Sequence, residues 1–264
     1  MEKIQCSVPI LTLNSENFLK RCLDSITNFA DVFLFDGNST DKTLSIARDF
    51  NIPVYKQIDN VDSAVQIKDF SAMRRKAIDK CQFDWVLLLD SDEYLSSELV
   101  EEIGSSLKAH ANDKVIFAIQ KRYCINGKTI EYSFNYPNYY PRLHNRKSGA
   151  KFKEGKIVHE QMFIPSHVPI IKMEHCVYSE IPATYTDCVK KDKYQLSLMK
   201  QSAFAPGSFI SRACKIFLKS VFIYLRYGYA HSLPPGHVMR HVRVHLIVSY
   251  WRFQQFLFGA MIQN

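Results

Sequence analysis

Two aspartates flank a serine in Asp90-Ser91-Asp92, directly behind Trp85-Val-Leu-Leu-Leu89, the most continuously apolar stretch of the chain. A strand of that composition is buried on both faces, so the carboxylates begin where the sheet ends. If the extended backbone carries on for two residues, its period of two aims Asp90 and Asp92 the same way. They then offer hard oxygen ligands to Mg²⁺ or Mn²⁺, an ion that keeps positions open for water and substrate phosphates. A strand-to-helix turn with Asp or Ser as N-cap is the competing reading. Asp36-Gly-Asn-Ser-Thr-Asp41 poses the same choice. Ser39, Thr40 or Asp41 can cap the helix that follows, while Asp36 can accept hydrogen bonds from a base or ribose.

These groups need a scaffold that brings strand ends together. Residues 6–13 read as a strand, followed by a helix with Phe18, Leu19, Cys22, Leu23 and Ile26 on one face. Residues 31–36 form a second strand, 42–50 a helix, 53–56 a short strand and 70–81 another helix, leading into the apolar strand at 84–89. Alternation of this kind predicts right-handed βαβ crossovers and a mostly parallel sheet flanked by helices, an α/β fold. Ligands of such sheets bind beyond the carboxyl ends of the strands, here Leu13-Asn14, Asp36-Gly37 and Asp90 to Asp92. After Lys114 the segments are longer and β-rich, and Asn126-Gly127 marks a hairpin between 115–125 and 128–134.

The chain has 264 residues and a net charge of +8, but the charge is uneven. Beyond residue 204 it carries Arg212, Lys215, Lys219, Arg226, Arg240, Arg243 and Arg252 with no acid, leaving the preceding residues with 27 bases against 26 acids. A balanced body argues against a nucleic-acid-binding protein. The bases at 212, 215, 219 and 226 step along one side of a helix that is otherwise rich in Phe, Ile and Leu. That pattern describes a helix lying in a lipid interface, or else one packed on the body with its basic face in water. No apolar run is long enough to span a bilayer. His237, His241 and His245 recur every four residues; with Arg240 and Arg243 among them, they are expected to form a polar face near acidic head groups rather than a metal site. Seven cysteines without a CxxC pair read as reduced and mostly core thiols, and the first residues lack signal-peptide character, so a cytoplasmic location is expected.

Taken together, Ser7-Val-Pro-Ile-Leu-Thr-Leu-Asn14, Asp36-Gly-Asn-Ser-Thr-Asp-Lys-Thr43, Trp85 to Glu93, Arg142-Leu143 and Val158-His-Glu160 occur in an order that resembles glycosyltransferase family 2, over about residues 4–200. The similarity is greatest to the bacterial branch of lipopolysaccharide-core glucosyltransferases. The resemblance implies a GT-A fold and an inverting, metal-dependent transfer from a nucleotide-diphosphate sugar, with UDP the default base. It implies a glycosyltransferase domain at 1–204, made of a nucleotide-sugar half (1–113) and an acceptor half (114–204), which leaves residues 205–264 as the basic amphipathic helical membrane-associating tail that their charge and apolar pattern mark. By the same similarity Thr12, Asn14 and Asp36 line the nucleotide pocket, Arg74 and Arg142 lie near the donor phosphates, Asp90 faces the ribose and the metal, and Asp92 binds the metal. Glu160 is the implied general base, with His159 beside it on the acceptor side and Glu93 and Glu154 as its rivals.

The expected function is transfer of a sugar to a hydroxyl of a lipid-linked or cell-envelope glycan, at an anionic membrane surface on the inner face of the cytoplasmic membrane. Two alternatives accompany it: a sugar nucleotidyltransferase, although Leu11-Thr-Leu-Asn-Ser15 lacks the glycines of a phosphate loop, and a non-catalytic membrane-surface binding protein with a degenerate site.

Overall fold

The computed structural model describes residues 2–59, 63–67, 69–152, 162–182, 188–189, 192–193, 196 and 208–259, with side chains in the last segment described for 211–251. In chain order the elements are β1 (Ile4–Thr12), α1 (Leu19–Asp24), β2 (Phe29–Asp36), α2 (Thr43–Asp49), β3 (Val54–Lys56), α3 (Phe70–Asp79), β4 (Trp85–Leu87), β5 (Leu89–Asp90), β6 (Glu93–Leu95) and α4 (Ser97–Ala109). There follow β7 (Ile116–Ile125), β8 (Lys128–Thr129), β9 (Tyr139–Asn145), β10 (Lys151–Phe152), β11 (Met162–Phe163), β12 (Ile170–Glu180), α5 (Ser208–Tyr227) and α6 (Pro235–Gly259).

The main sheet runs β3-β2-β1-β4-β9-β7-β12-β6, with β5 also beside β1. The fold is α/β, and the parallel character expected from the alternation holds for β3, β2, β1, β4 and β5. Beyond β4 the sheet becomes antiparallel through β9 and β7, and β6 lies antiparallel to β12, so the sheet is mixed. The change follows from the connections: β9 follows β7 with no helix between them, so the two pair antiparallel.

Alternation along the central strands feeds a core on each face. Val8, Ile10, Leu34, Leu87 and Leu89 pack with Leu19 and Leu23 of α1 and Leu99 and Ile103 of α4. Leu11 and Phe35 point the other way, onto Met73 and Ala77 of α3. Burial on both sides is why these strands read as continuous apolar runs rather than alternating ones. Capping sets where the helices begin. Asp69 accepts the Ala72 amide at 2.9 Å to start α3, and Ser96 accepts the Leu99 amide at 3.1 Å to start α4.

The chain forms two compact units, one of residues 1–122 and 137–180, the other of 123–136 and 181–264. The hairpin expected at Asn126-Gly127 is present, both residues having positive φ (49° and 75°), but its second strand is only β8, shorter than the sequence predicts. The hairpin belongs to the second unit, where Ile130, Leu233 and Val238 form a small core and Tyr132 stacks on Tyr227 with ring centroids 4.0 Å apart. Gly228, at φ 77°, ends α5 by donating its amide to the Tyr224 carbonyl at 3.0 Å.

The expected polar histidine face is not formed. His237 is buried with Nδ1 3.6 Å from Cys188 Sγ, and His241 packs edge-on against Phe134 at 5.0 Å. Burial, reinforced by the charge of Arg240, lowers His241 to about 4. Arg240 donates Nε to Asp192 at 2.7 Å, so one of the tail's cations is already paired. The histidines repeat every four residues because that face packs inward.

In the first unit His144 is buried in β9, and burial followed by the charge of Arg146 lowers it to about 4. The unfolded chain takes up that proton below about 6.5 while the folded one does not, so stability is lost as the pH falls from about 6.5 to 4. The loss at this site is expected to be on the order of 3 kcal/mol. Denaturant melts across that range should show a shallower acid-side decline in His144→Leu than in the parent protein.

Candidate active site

Register decides which residues meet. Thr12 lies opposite Asp36 and Leu11 opposite Asp90, so the carboxyl ends of β2, β1 and β5 come side by side. The strands are about 4.8 Å apart, and the polar residues beyond them fall into two linked clusters.

The first cluster centres on Asp36, which is 3% exposed. Its Oδ1 accepts hydrogen bonds from the hydroxyls of Thr12 (2.8 Å) and Ser39 (2.6 Å), and its Oδ2 accepts the Ser39 amide at 2.8 Å. Ser39 Oγ accepts the Asn14 amide at 2.8 Å, and Asn14 Oδ1 accepts the Thr40 amide at 2.8 Å. Asn14 (φ 50°) and Asn38 (φ 62°) occupy the left-handed region, which asparagine tolerates better than most residues. Gly37 is required for a different reason, since a Cβ there would lie 2.8 Å from the Val65 carbonyl oxygen. Of the three capping candidates, Asp41 accepts the Thr43 amide at 2.9 Å. Although burial works to raise it, hydrogen bonds from the Thr43 side chain and from backbone amides hold its carboxyl below the usual range. Thr12, Asn14 and Asp36 are thus joined in one network, and Asp36 organises the loop that follows it.

The second cluster is ionic. Arg74, 5% exposed on α3, pairs with the Asp90 carboxylate at the end of β5. Arg142 on β9 grips Glu93 with both guanidinium nitrogens, Nη1 to Oε2 at 2.6 Å and Nη2 to Oε1 at 2.7 Å, and its Nη1 lies 3.8 Å from Asp90 Oδ2. Lys121 on β7 reaches Glu93 Oε1 at 2.7 Å. Three cations therefore converge on two carboxylates. Burial alone would raise the Asp90 carboxyl, but Arg74, Arg142 and Lys121 outweigh it and hold the group well below the usual carboxylate range. Burial likewise opposes charge on Lys121, and Glu93 overrides it, raising the ammonium.

The extended backbone that would align Asp90 and Asp92 does not continue. The strand stops at Asp90, Ser91 and Asp92 form a turn, and β6 begins at Glu93, so the period of two does not extend across the triplet. The turn is pinned by Ser91 Oγ, 2.9 Å from Ser15 Oγ, and by the Asp92 carbonyl, which accepts the Glu180 amide at 3.0 Å. Among the described residues no three His, Cys, Asp or Glu side chains come together as a metal site. The donors present, Asp90 and Asp92, suit the other common arrangement, in which one or two carboxylates share Mg²⁺ or Mn²⁺ with substrate phosphates. His159, Glu160 and Glu154 lie outside the described residues. Glu93, the remaining rival for the base, is fully buried and bound to two cations, so it holds other groups in place rather than facing a substrate.

Lys121 was not legible as a site residue. A lysine directly after five buried strand positions, 116–120, was its only signal, and its partner lies 28 positions earlier in the chain.

The family model of glycosyl transferase family 2 matches residues 7–164, well over half of the chain. The chain belongs to glycosyl transferase family 2. It is 31% identical over 152 residues to an uncharacterized glycosyltransferase of Rickettsia typhi, covering 56% of this chain and 48% of that one. To the lipopolysaccharide core biosynthesis glycosyltransferase LpsC of Rhizobium meliloti it is 24% identical over 121 residues, 43% of this chain and 40% of the relative. To the poly(ribitol-phosphate) beta-glucosyltransferase of Bacillus spizizenii it is 26% identical over 133 residues, 48% and 20% respectively. The chain thus spans about half the length of the first curated relatives it matches. Among solved structures, TarS of S. aureus in complex with UDP-GlcNAc superposes with a TM-score of 0.49 at 17% identity, covering 93% of this chain and 72% of that one. The α/β architecture is of the GT-A type expected for the family.

Removing one member of the ionic cluster should leave a buried charge unmatched. Arg142→Ala is expected to lower unfolding free energy by about 3–5 kcal/mol, whereas Lys20→Ala, which breaks only the exposed pair with Asp24, should change it by less than about 1 kcal/mol; urea titrations of both variants measure the contrast.

Proposed function

We propose that this chain is an inverting glycosyltransferase that moves a sugar from a nucleotide-diphosphate sugar, with UDP as the nucleotide, to a hydroxyl of a lipid-linked or cell-envelope glycan. The observation that carries the reading is the convergence of the Thr12–Asp36–Asn14 network and the Arg74–Asp90–Arg142 cluster on adjacent strand ends of a family 2 chain. The first joins buried Thr12 and Asp36 to exposed Asn14, hydrogen-bonding groups suited to a nucleoside, and the second is a set of cations suited to phosphates. Two relatives act on envelope polymers by name, which supports the choice of acceptor class.

Glycosyl transfer breaks the bond between the anomeric carbon and the diphosphate oxygen as negative charge grows on the leaving group. Arg74 and Arg142 are held rigidly by their carboxylate partners, so they supply positive potential near the phosphates with little reorganisation during the reaction. A divalent ion bound through Asp92 would add Lewis-acid stabilisation of the same charge. On the opposite face the acceptor hydroxyl gives up a proton as its oxygen attacks the anomeric carbon. By family similarity we assign that proton to the Glu160 carboxylate, with His159 beside it. The work takes place peripherally, at the anionic inner face of the cytoplasmic membrane.

Screening nucleotide sugars by thermal shift with and without Mn²⁺ tests the donor: a ligand at 100 times its Kd stabilises by about 2.7 kcal/mol, so a UDP-sugar should raise the melting midpoint by several degrees only with the metal. No shift with any nucleotide sugar would remove the proposal. Asp92→Asn is expected to abolish transfer, and Glu160→Gln to lower turnover about 10²–10⁴-fold while keeping donor binding; full activity in either would overturn that residue's role.

A further inference from the structure

Helix α5 divides into three sectors. At roughly 100° per residue, Ala213, Ile216, Ser220, Ile223 and Tyr224 form an inward seam, with Ala213, Ser220 and Ile223 buried and Ile216 and Tyr224 packed against the small core of the second unit. Phe217, Leu218, Val221, Phe222 and Leu225 form a different arc, and they are 47%, 65%, 38%, 63% and 84% exposed. Between the arc and the seam runs a strip of Arg212, Lys215, Lys219 and Arg226, all exposed. Five large apolar side chains side by side in water are unusual for a surface helix, whose outward face is ordinarily polar.

We propose that this arc of α5 seats the protein on an anionic lipid bilayer, with the apolar side chains at the acyl boundary and the basic strip among the phosphate head groups. Charge complementarity selects the occupant. Residues 205–264 contain seven bases and no acid, so an anionic surface is favoured, and a second copy of the same helix would bring like charges together. Long basic side chains flanking an apolar arc can lay their stems along it while keeping their charges in the head-group layer. Lys219 also reaches the Tyr136 carbonyl at 3.3 Å, which holds that part of the strip in place. No helix among the described residues is long and apolar enough to cross a membrane, so the contact is one of lying on the surface. The inference deepens the membrane location in the proposed function and does not depend on its chemistry.

Cys214 is exposed and falls at the middle of the arc, which makes it a reporter. With an environment-sensitive fluorophore on Cys214, the full chain should show a blue-shifted emission with phosphatidylcholine vesicles containing 30% phosphatidylglycerol, and little change with phosphatidylcholine alone. Unlabelled protein should co-sediment with the anionic vesicles, less so at high salt. Leu218→Glu with Phe222→Glu should reduce co-sedimentation at least tenfold with unchanged circular dichroism and melting midpoint. Lys215→Gln with Arg226→Gln should selectively weaken binding to the anionic vesicles. Equal binding by the parent protein and the Leu218/Phe222 variant, or no binding to either vesicle, would overturn the proposal. A dimer in light scattering that disappears in the same variant would overturn it too, by assigning the arc to a second copy. Because no nucleotide sugar is used, failure here and failure of the catalytic reading are separate results.

Discussion

A carboxylate taken out of water must find its hydrogen bonds and countercharges inside the protein, and that requirement governs the carboxyl-terminal edge of this sheet. Asp36 and Glu93 are both buried, and each resolves the problem differently. Asp36 uses neutral donors, the Thr12 and Ser39 hydroxyls and the Ser39 amide, and in doing so fixes the path of the loop from Gly37 to Asp41. Glu93 uses charge, taking a bidentate guanidinium from Arg142 and an ammonium from Lys121. An anion of that depth is tolerable only when its partners are well oriented, and orienting them places two cations beside Asp90.

The sheet supplies that orientation. α3 contributes Arg74, β7 contributes Lys121 and β9 contributes Arg142, while both acids come from the short segment that leaves the middle of the sheet. For the transfer proposed above, rigidity of this kind means that the cations need not move as negative charge develops.

Much of this was legible from residue types alone. The parallel strands announced themselves as apolar runs because both of their faces are covered, and the register that joins Thr12 to Asp36 follows from two strands ending in polar residues. The site was harder to read where it depends on pairing across the fold. Nothing local distinguishes a turn at Ser91-Asp92 from two more extended residues, so residue types alone leave open where the strand ends. Lys121 and Glu93 meet only because β7 and β6 share a sheet. The repeat of His237, His241 and His245 correctly marked a helix face, but periodicity does not say whether a face points inward, and neutral imidazole is apolar enough to be buried.

The mutual dependence of Arg74, Asp90, Glu93, Lys121 and Arg142 bears on how this chain can vary over time. Each charge is tolerable because of its neighbours, so exchanges at these positions are strongly non-additive. Drift there must proceed by compensated pairs, and a lineage that loses one cation has a narrow set of viable second steps. The five positions are therefore expected to co-vary as a block, while exposed positions elsewhere in the chain diverge independently.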